Sequence, residues 1–176
     1  MNLICRKARP SDSEALTNYL EQLSVNSRSR FGPHPFDNKT VDLICNKNYK
    51  GYRAYICLDM NDIVGYIVVV KGYIEGDRER YSNYSIQYNK ETDFTLAPSV
   101  ADKYQSKGVG TKLYLFVENE LIKKGTQKII LWGGVQLSNK KAVRFYQKQK
   151  FKVLGEFRHN NMDNLDMVKL LDQQQD

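Results

Sequence analysis

Residues 104–117 read YQSKGVGTKLYLFV. Gly108 and Gly110 stand one residue apart, directly before a stretch in which Leu113, Phe116, Val117 and Leu121 recur on one helical face, with Glu120 as its polar exception. Glycines at a helix start let the backbone approach a ligand closely, and the unpaired first-turn amides with the helix dipole favour an anion. Two familiar phosphate motifs fail here. The order Gly-Val-Gly-Thr-Lys is not a Walker loop, and the third glycine of a dinucleotide fingerprint would fall on Leu113. What remains is Gln105-x-x-Gly108-x-Gly110 with Lys103, Lys107 and Lys112 around it.

The composition narrows the class. A chain of 176 residues with 41% hydrophobic and 27% charged residues reads as one globular domain, taken as 1–172 with a short tail at 173–176. The longest apolar run, IVGYIVVV at 63–70, is far shorter than the roughly 20 residues of a membrane span. The start, MNLICRKARPSDSEA, lacks the apolar core of a signal peptide, so the expectation is a cytoplasmic protein. Cys5, Cys45 and Cys57 show no CxxC spacing, which argues against a disulfide framework and a zinc site; Cys57 reads as a core thiol, and no metal is expected. The net charge of +7 fits a nucleic-acid binder, a polyanionic ligand, or a solvated lysine-rich surface.

Along the chain, residues 2–9 read as a first strand, and Ser11 with Glu14 as a capping box for a helix with Leu16, Tyr19, Leu20 and Leu23 on one face. A Pro- and Gly-punctuated loop spans 27–37, a second helix 38–48, and a hairpin of strands 52–59 and 63–73 follows. Residues 75–89 read as a polar, irregular excursion. The strand at 91–101 contains Pro98, which cannot donate to a ladder and marks a bulge or a parting of strands. After the glycine-led helix come a strand at 128–135, a helix at 139–148 and two closing strands at 151–157 and 162–171. Such mixing gives an α/β or α+β domain.

Two stretches then converge. VADKYQSKGVGTKL at 100–113 resembles motif A of the GNAT superfamily of N-acetyltransferases, Gln/Arg-x-x-Gly-x-Gly/Ala. LSNKKAVRFYQKQKF at 137–151 is similar to that family's motif B: Asn139, Ala142, Tyr146 and Phe151 match, and Lys150 replaces a glycine. The resemblance covers nearly the whole chain. It implies a mixed, mostly antiparallel sheet of about six or seven strands with about four helices, splayed near Val100.

The resemblance further implies acetyl transfer from acetyl-CoA, as co-substrate, to a primary amine of a small molecule or protein in a ternary complex. The backbone of Gln105, Ser106, Lys107, Gly108, Val109, Gly110 and Thr111 would cradle the CoA pyrophosphate. Pro98, Ser99 and Val100 would line the pantetheine arm, with the amide near Val100 polarising the thioester carbonyl. Asn139 would bind the pantetheine, besides being a natural N-cap, and Tyr146 would protonate the departing thiolate. Two glutamate positions of the family are Thr95 and Gly134 in this chain. Asp93, Glu91 and the loop residue His34 are therefore the candidates to take the amine proton. A monomer or homodimer without membrane attachment is expected. A CoA-binding regulatory module without turnover is the alternative. A nucleic-acid binder rests on charge alone, without an RNP-type motif.

Overall fold

Runs rich in β-branched and aromatic residues become strands, and stretches opened by Asp, Ser or Asn become helices. In chain order the computed structural model contains β1 (Leu3–Lys7), α1 (Ser13–Glu21), α2 (Val25–Arg28), α3 (Asn38–Cys45), β2 (Arg53–Asp59), β3 (Asp62–Lys71), α4 (Arg78–Ser82), β4 (Asp93–Val100), α5 (Val109–Ile122), β5 (Lys128–Leu131), β6 (Val135–Gln136), α6 (Lys140–Lys148), β7 (Lys152–His159) and β8 (Met162–Leu170). The residues described are 1–171, so the tail at 173–176 lies outside them. They group into two compact units, 1–70 with 97–120, and 71–96 with the residues from 121 onward. The fold is mixed α/β. Within the units every strand pairing is antiparallel except that of β4 with β5.

In the first unit β2 pairs with β1 on one side and β3 on the other, so that Cys57 faces Cys5 and Gly65. Leu16 and Leu20 of α1 and Val41 and Ile44 of α3 are all buried, and the two helices pack on each other. Each such side chain contributes about 1.5–3 kcal/mol. The expected Ser11–Glu14 capping box does not form. The Asp12 carboxylate instead closes the short turn Pro10–Asp12 ahead of α1, accepting from the Arg9 N–H at 2.7 Å and binding the Arg6 guanidinium at 2.6 and 2.8 Å. Glu120, the polar exception on α5, is paired with Lys7 at 2.6 Å.

In the second unit β8 lies between β7 and a broken strand made of β5 and β6. The strand expected over 128–135 divides because five steps from Ile130 to Val135 face three from Val168 to Leu165. The two extra residues are Gly133 and Gly134, both at positive φ, which raises the strand count to eight. The excursion over 75–89 is not irregular throughout. It forms α4 and buries Tyr81, whose hydroxyl donates to the Leu131 carbonyl at 3.3 Å. Tyr81 packs with Ile130 and Val168, and Tyr73, Tyr84, Ile86, Tyr88 and Leu154 lie against them. Among the described residues no helix is long and apolar enough to cross a membrane.

Candidate functional site

The glycine-led loop belongs to the first unit, and contacts of three residues, Ala101, Asp102 and Gln105, shape it. The Ala101 N–H donates to Val64 at 3.0 Å, which anchors the end of β4. The Asp102 carboxylate accepts from the Ser24 N–H at 3.0 Å and from the Ser24 and Ser27 hydroxyls at 2.8 and 2.7 Å. The Gln105 side-chain amide donates to Ser27 Oγ and to the Val100 carbonyl, both at 3.3 Å. Gln105 thus braces the loop with its side chain. Downstream, Ser106 and Gly108 adopt φ of 61° and 84° on either side of Lys107. Left-handed residues of this kind turn successive amides toward one side, a concavity suited to an anion. A Cβ on Gly108 would meet no protein atom within 4 Å, so its backbone angle, not crowding, is the local reason for glycine.

α5 then starts at Val109, and Lys112 N–H to Gly108 carbonyl, at 3.0 Å, is an i to i−4 bond of its first turn. The amides of Val109, Gly110 and Thr111 precede it and are first-turn donors. Lys103 and Lys107 both sit over the Tyr104 ring, 5.3 and 5.9 Å from its centroid. Lys112 turns elsewhere, its Nζ donating to the Leu3 carbonyl of β1. Ser99 Oγ is hydrogen-bonded to the Tyr19 hydroxyl at 3.0 Å.

His34 stands apart in the same unit, packed among Phe31, Phe36 and Tyr66. Its Nδ1 lies 2.7 Å from the Pro35 carbonyl and its Nε2 2.9 Å from the Tyr66 hydroxyl. A carbonyl only accepts, so the proton belongs on Nδ1 and Tyr66 donates to Nε2. Burial lowers the His34 pKa against smaller opposing effects of the Pro35 carbonyl and Asp37, which holds the ring neutral.

In the second unit Asn139 caps α6, its side-chain oxygen accepting from the Ala142 N–H at 3.3 Å. Two turns on, Tyr146 is buried edge-on against Phe145 and Phe151, with centroids 5.2 and 5.4 Å away. Burial raises its pKa, so the phenol keeps its proton at neutral pH. The β4–β5 ladder covers Asp93 to Leu96 and closes where Trp132 N–H donates to the Leu96 carbonyl at 3.0 Å.

A family model described as the acetyltransferase (GNAT) family matches residues 18–151, well over half of the chain. The chain belongs to the GNAT acetyltransferase family. Among curated proteins none matches. Solved structures share the fold. A GNAT acetyltransferase from Streptococcus pneumoniae has a TM-score of 0.73 at 19% identity, covering 97% of this chain and all of that one. A putative acetyltransferase from Salmonella typhimurium, with acetyl-CoA, has 0.70 at 17%, covering 98% and 95%. The PaiA N-acetyltransferase from Thermoplasma acidophilum, with coenzyme A, has 0.69 at 18%, covering 97% and 100%.

Within this GNAT acetyltransferase several of the residues singled out in the sequence are held by local contacts. Lys150 has φ of 65°, a left-handed turn out of α6 that glycine adopts without strain. Thr95 is buried and donates to the Gly72 carbonyl at 2.7 Å. Gly134 has no room for a side chain: a Cβ would stand 2.5 Å from the Leu165 carbonyl and 2.8 Å from the Phe157 ring. Asp93 is fully buried, accepting from the Asn89 N–H at 2.8 Å and lying 3.4 Å from Lys128 Nζ. Glu91 is exposed and paired with Lys71 at 2.5 Å. Ser24, Ser27 and Asp102, which shape the glycine loop, carried no sequence signal, because the two serines lie some 75 residues from the carboxylate they meet.

Proposed function

We propose that this GNAT acetyltransferase moves the acetyl group of acetyl-CoA directly to a primary amine in a ternary complex, the acceptor being a small molecule or a protein amine. The observation that carries the reading is the backbone of 105–111: two left-handed residues leading into the first-turn amides of α5, in a stretch that also carries Lys103 and Lys107. That donor set fits a pyrophosphate, which needs several convergent N–H groups and nearby positive charge.

Acetyl-CoA supplies an activated thioester. On this reading the amides of Ser106 to Thr111 hold its pyrophosphate, with Gln105 keeping the loop in shape. Backbone groups of Pro98, Ser99 and Val100 serve the pantetheine arm, and the Val100 amide stabilises the oxyanion. Asn139 binds pantetheine while capping α6. Tyr146, kept protonated by burial, donates its hydroxyl proton to the thiolate as the C–S bond breaks.

The amine must lose a proton to attack, which for a lysine-like amine at neutral pH costs about 4–5 kcal/mol. The contacts of Asp93 and Glu91 support structural roles, since both are already committed to lysines. The His34 lone pair is committed to Tyr66. We assign the proton to solvent or to substrate delivered as the free amine. The rate should then rise with pH toward the acceptor's own pKa.

Thermal melting with acetyl-CoA tests the donor. Ligand at a hundredfold excess over Kd stabilises by about 2.7 kcal/mol, and Gly108→Glu should remove the shift. No shift at millimolar acetyl-CoA would overturn the proposal. A thiol-release screen over amino sugars, polyamines, aminoglycosides and peptides then finds the acceptor. Binding without thiol release from any amine would favour a regulatory module instead.

A further inference from the structure

We propose that Cys5 and Cys57 are a reversible disulfide site, a thiol pair that closes under oxidation and fastens β1 to β2. The two residues are direct partners in the β1–β2 register, and their sulfurs lie 3.1 Å apart. Cα atoms of directly opposed antiparallel residues are roughly 4.5–5.5 Å apart, inside the span of about 4.4–6.8 Å that a disulfide bridges. No strand has to slide for the bond to form.

The two thiols have different roles. Cys5 is partly exposed on β1, and Cys57 is fully buried on β2. The hydrogen bond with Cys57 lowers the Cys5 pKa, and the Lys112 charge adds to that; the same hydrogen bond and burial raise Cys57. Cys5 is therefore the attacking thiolate and Cys57 the resolving thiol. With a small-molecule disulfide as oxidant, the Cys5 thiolate bonds to one of its sulfurs and expels the other as a thiolate. Cys57 then gives up its proton, bonds to the Cys5 sulfur and expels the second small thiolate. Two protein thiols are oxidised and one small disulfide is reduced to two thiols. Cys45, buried with its pKa pushed up to about 11, stays out of the exchange.

The surroundings give the bond a consequence. The Cys57 Cβ packs beside Gly65, whose own α-carbon faces Val109 and Leu113 of the first two turns of α5. Lys112 from those turns reaches the Leu3 carbonyl of β1. Joining the sulfurs thus fixes β1 beneath the helix that follows the glycine loop, without drawing on any loop residue.

The test uses the full-length chain under native conditions with glutathione disulfide. The expected product is two hydrogens lighter, has lost two of its three thiols, and yields a Cys5–Cys57 cross-linked peptide. It melts on the order of 10 °C higher and reverts with dithiothreitol. Cys5→Ser should abolish the cross-link, Cys45→Ser should leave it unchanged, and Cys57→Ala should stop at a mixed disulfide on Cys5. Three thiols surviving the incubation, a persistent glutathione adduct on the unmodified sequence, or a cross-link through Cys45 would each overturn the assignment.

Discussion

Arg80 holds Asp166 through two hydrogen bonds, Nε at 2.5 Å and Nη2 at 3.0 Å, and so fastens α4 to β8 across 86 residues of sequence. Asp166 is fully buried, Tyr84 donates to it at 2.8 Å, and the guanidinium lies 3.8 Å from the Phe157 ring centroid while also binding Asp77 at 2.9 Å. Removing the cation leaves a carboxylate buried without its charge partner. Arg80→Ala should therefore lower unfolding stability by about 3–5 kcal/mol. Chemical denaturation measures this. Adding Asp166→Leu should recover much of the loss, because the stranded charge goes with it.

His34 makes stability depend on pH in one direction. Burial lowers its folded pKa below the ordinary value of about 6.5. Below that pH the unfolded chain takes up a proton that the folded ring refuses, so stability falls as pH drops from about 6.5 toward the folded value. Melting temperatures from pH 7.5 to 5 should show the decline, and His34→Gln should flatten it. An unchanged slope in that variant would place the effect elsewhere.

Gly134 should reject a carboxylate side chain. Any side chain there meets the Leu165 carbonyl and Phe157 and must also accept φ of 68°. Gly134→Ala is expected to destabilise by about 2–4 kcal/mol, and Gly134→Glu to do so without raising turnover. A gain in kcat from Gly134→Glu would show that a carboxylate can be accommodated there after all.

Tyr146 and Asn139 are separable by which parameter they move. Tyr146→Phe keeps the ring contacts with Phe145 and Phe151 and deletes the proton, so kcat should fall on the order of 100-fold while the acetyl-CoA melting shift persists. Asn139→Ala should cost about 1 kcal/mol of stability through the lost cap and raise the KM for acetyl-CoA. Stability loss with an unaltered KM would leave Asn139 as a cap alone.

Much of this protein follows from local order in the chain. Gly108 and Gly110 ahead of the Leu113–Val117 periodicity, Pro98 in its strand, and Asn139, Ala142 and Tyr146 at helical spacing are short-range patterns that backbone sterics and helix geometry impose directly. They mark the helix start and the cap directly, and their resemblance to two motifs of the GNAT superfamily points to the family. What only the tertiary structure decided involves partners distant in sequence: Asp102 with Ser24 and Ser27, Arg80 with Asp166, and Cys5 with Cys57. The excursion over 75–89 looked polar because Arg80 and Asp77 are charged, and only the fold supplies the carboxylate, ring and backbone N–H that hold them. The same holds for Gly134, where only the fold shows a carbonyl 2.5 Å from where a Cβ would be. Periodicity and backbone angles are properties of neighbouring residues, whereas burial, charge pairing and steric room arise only when distant segments pack.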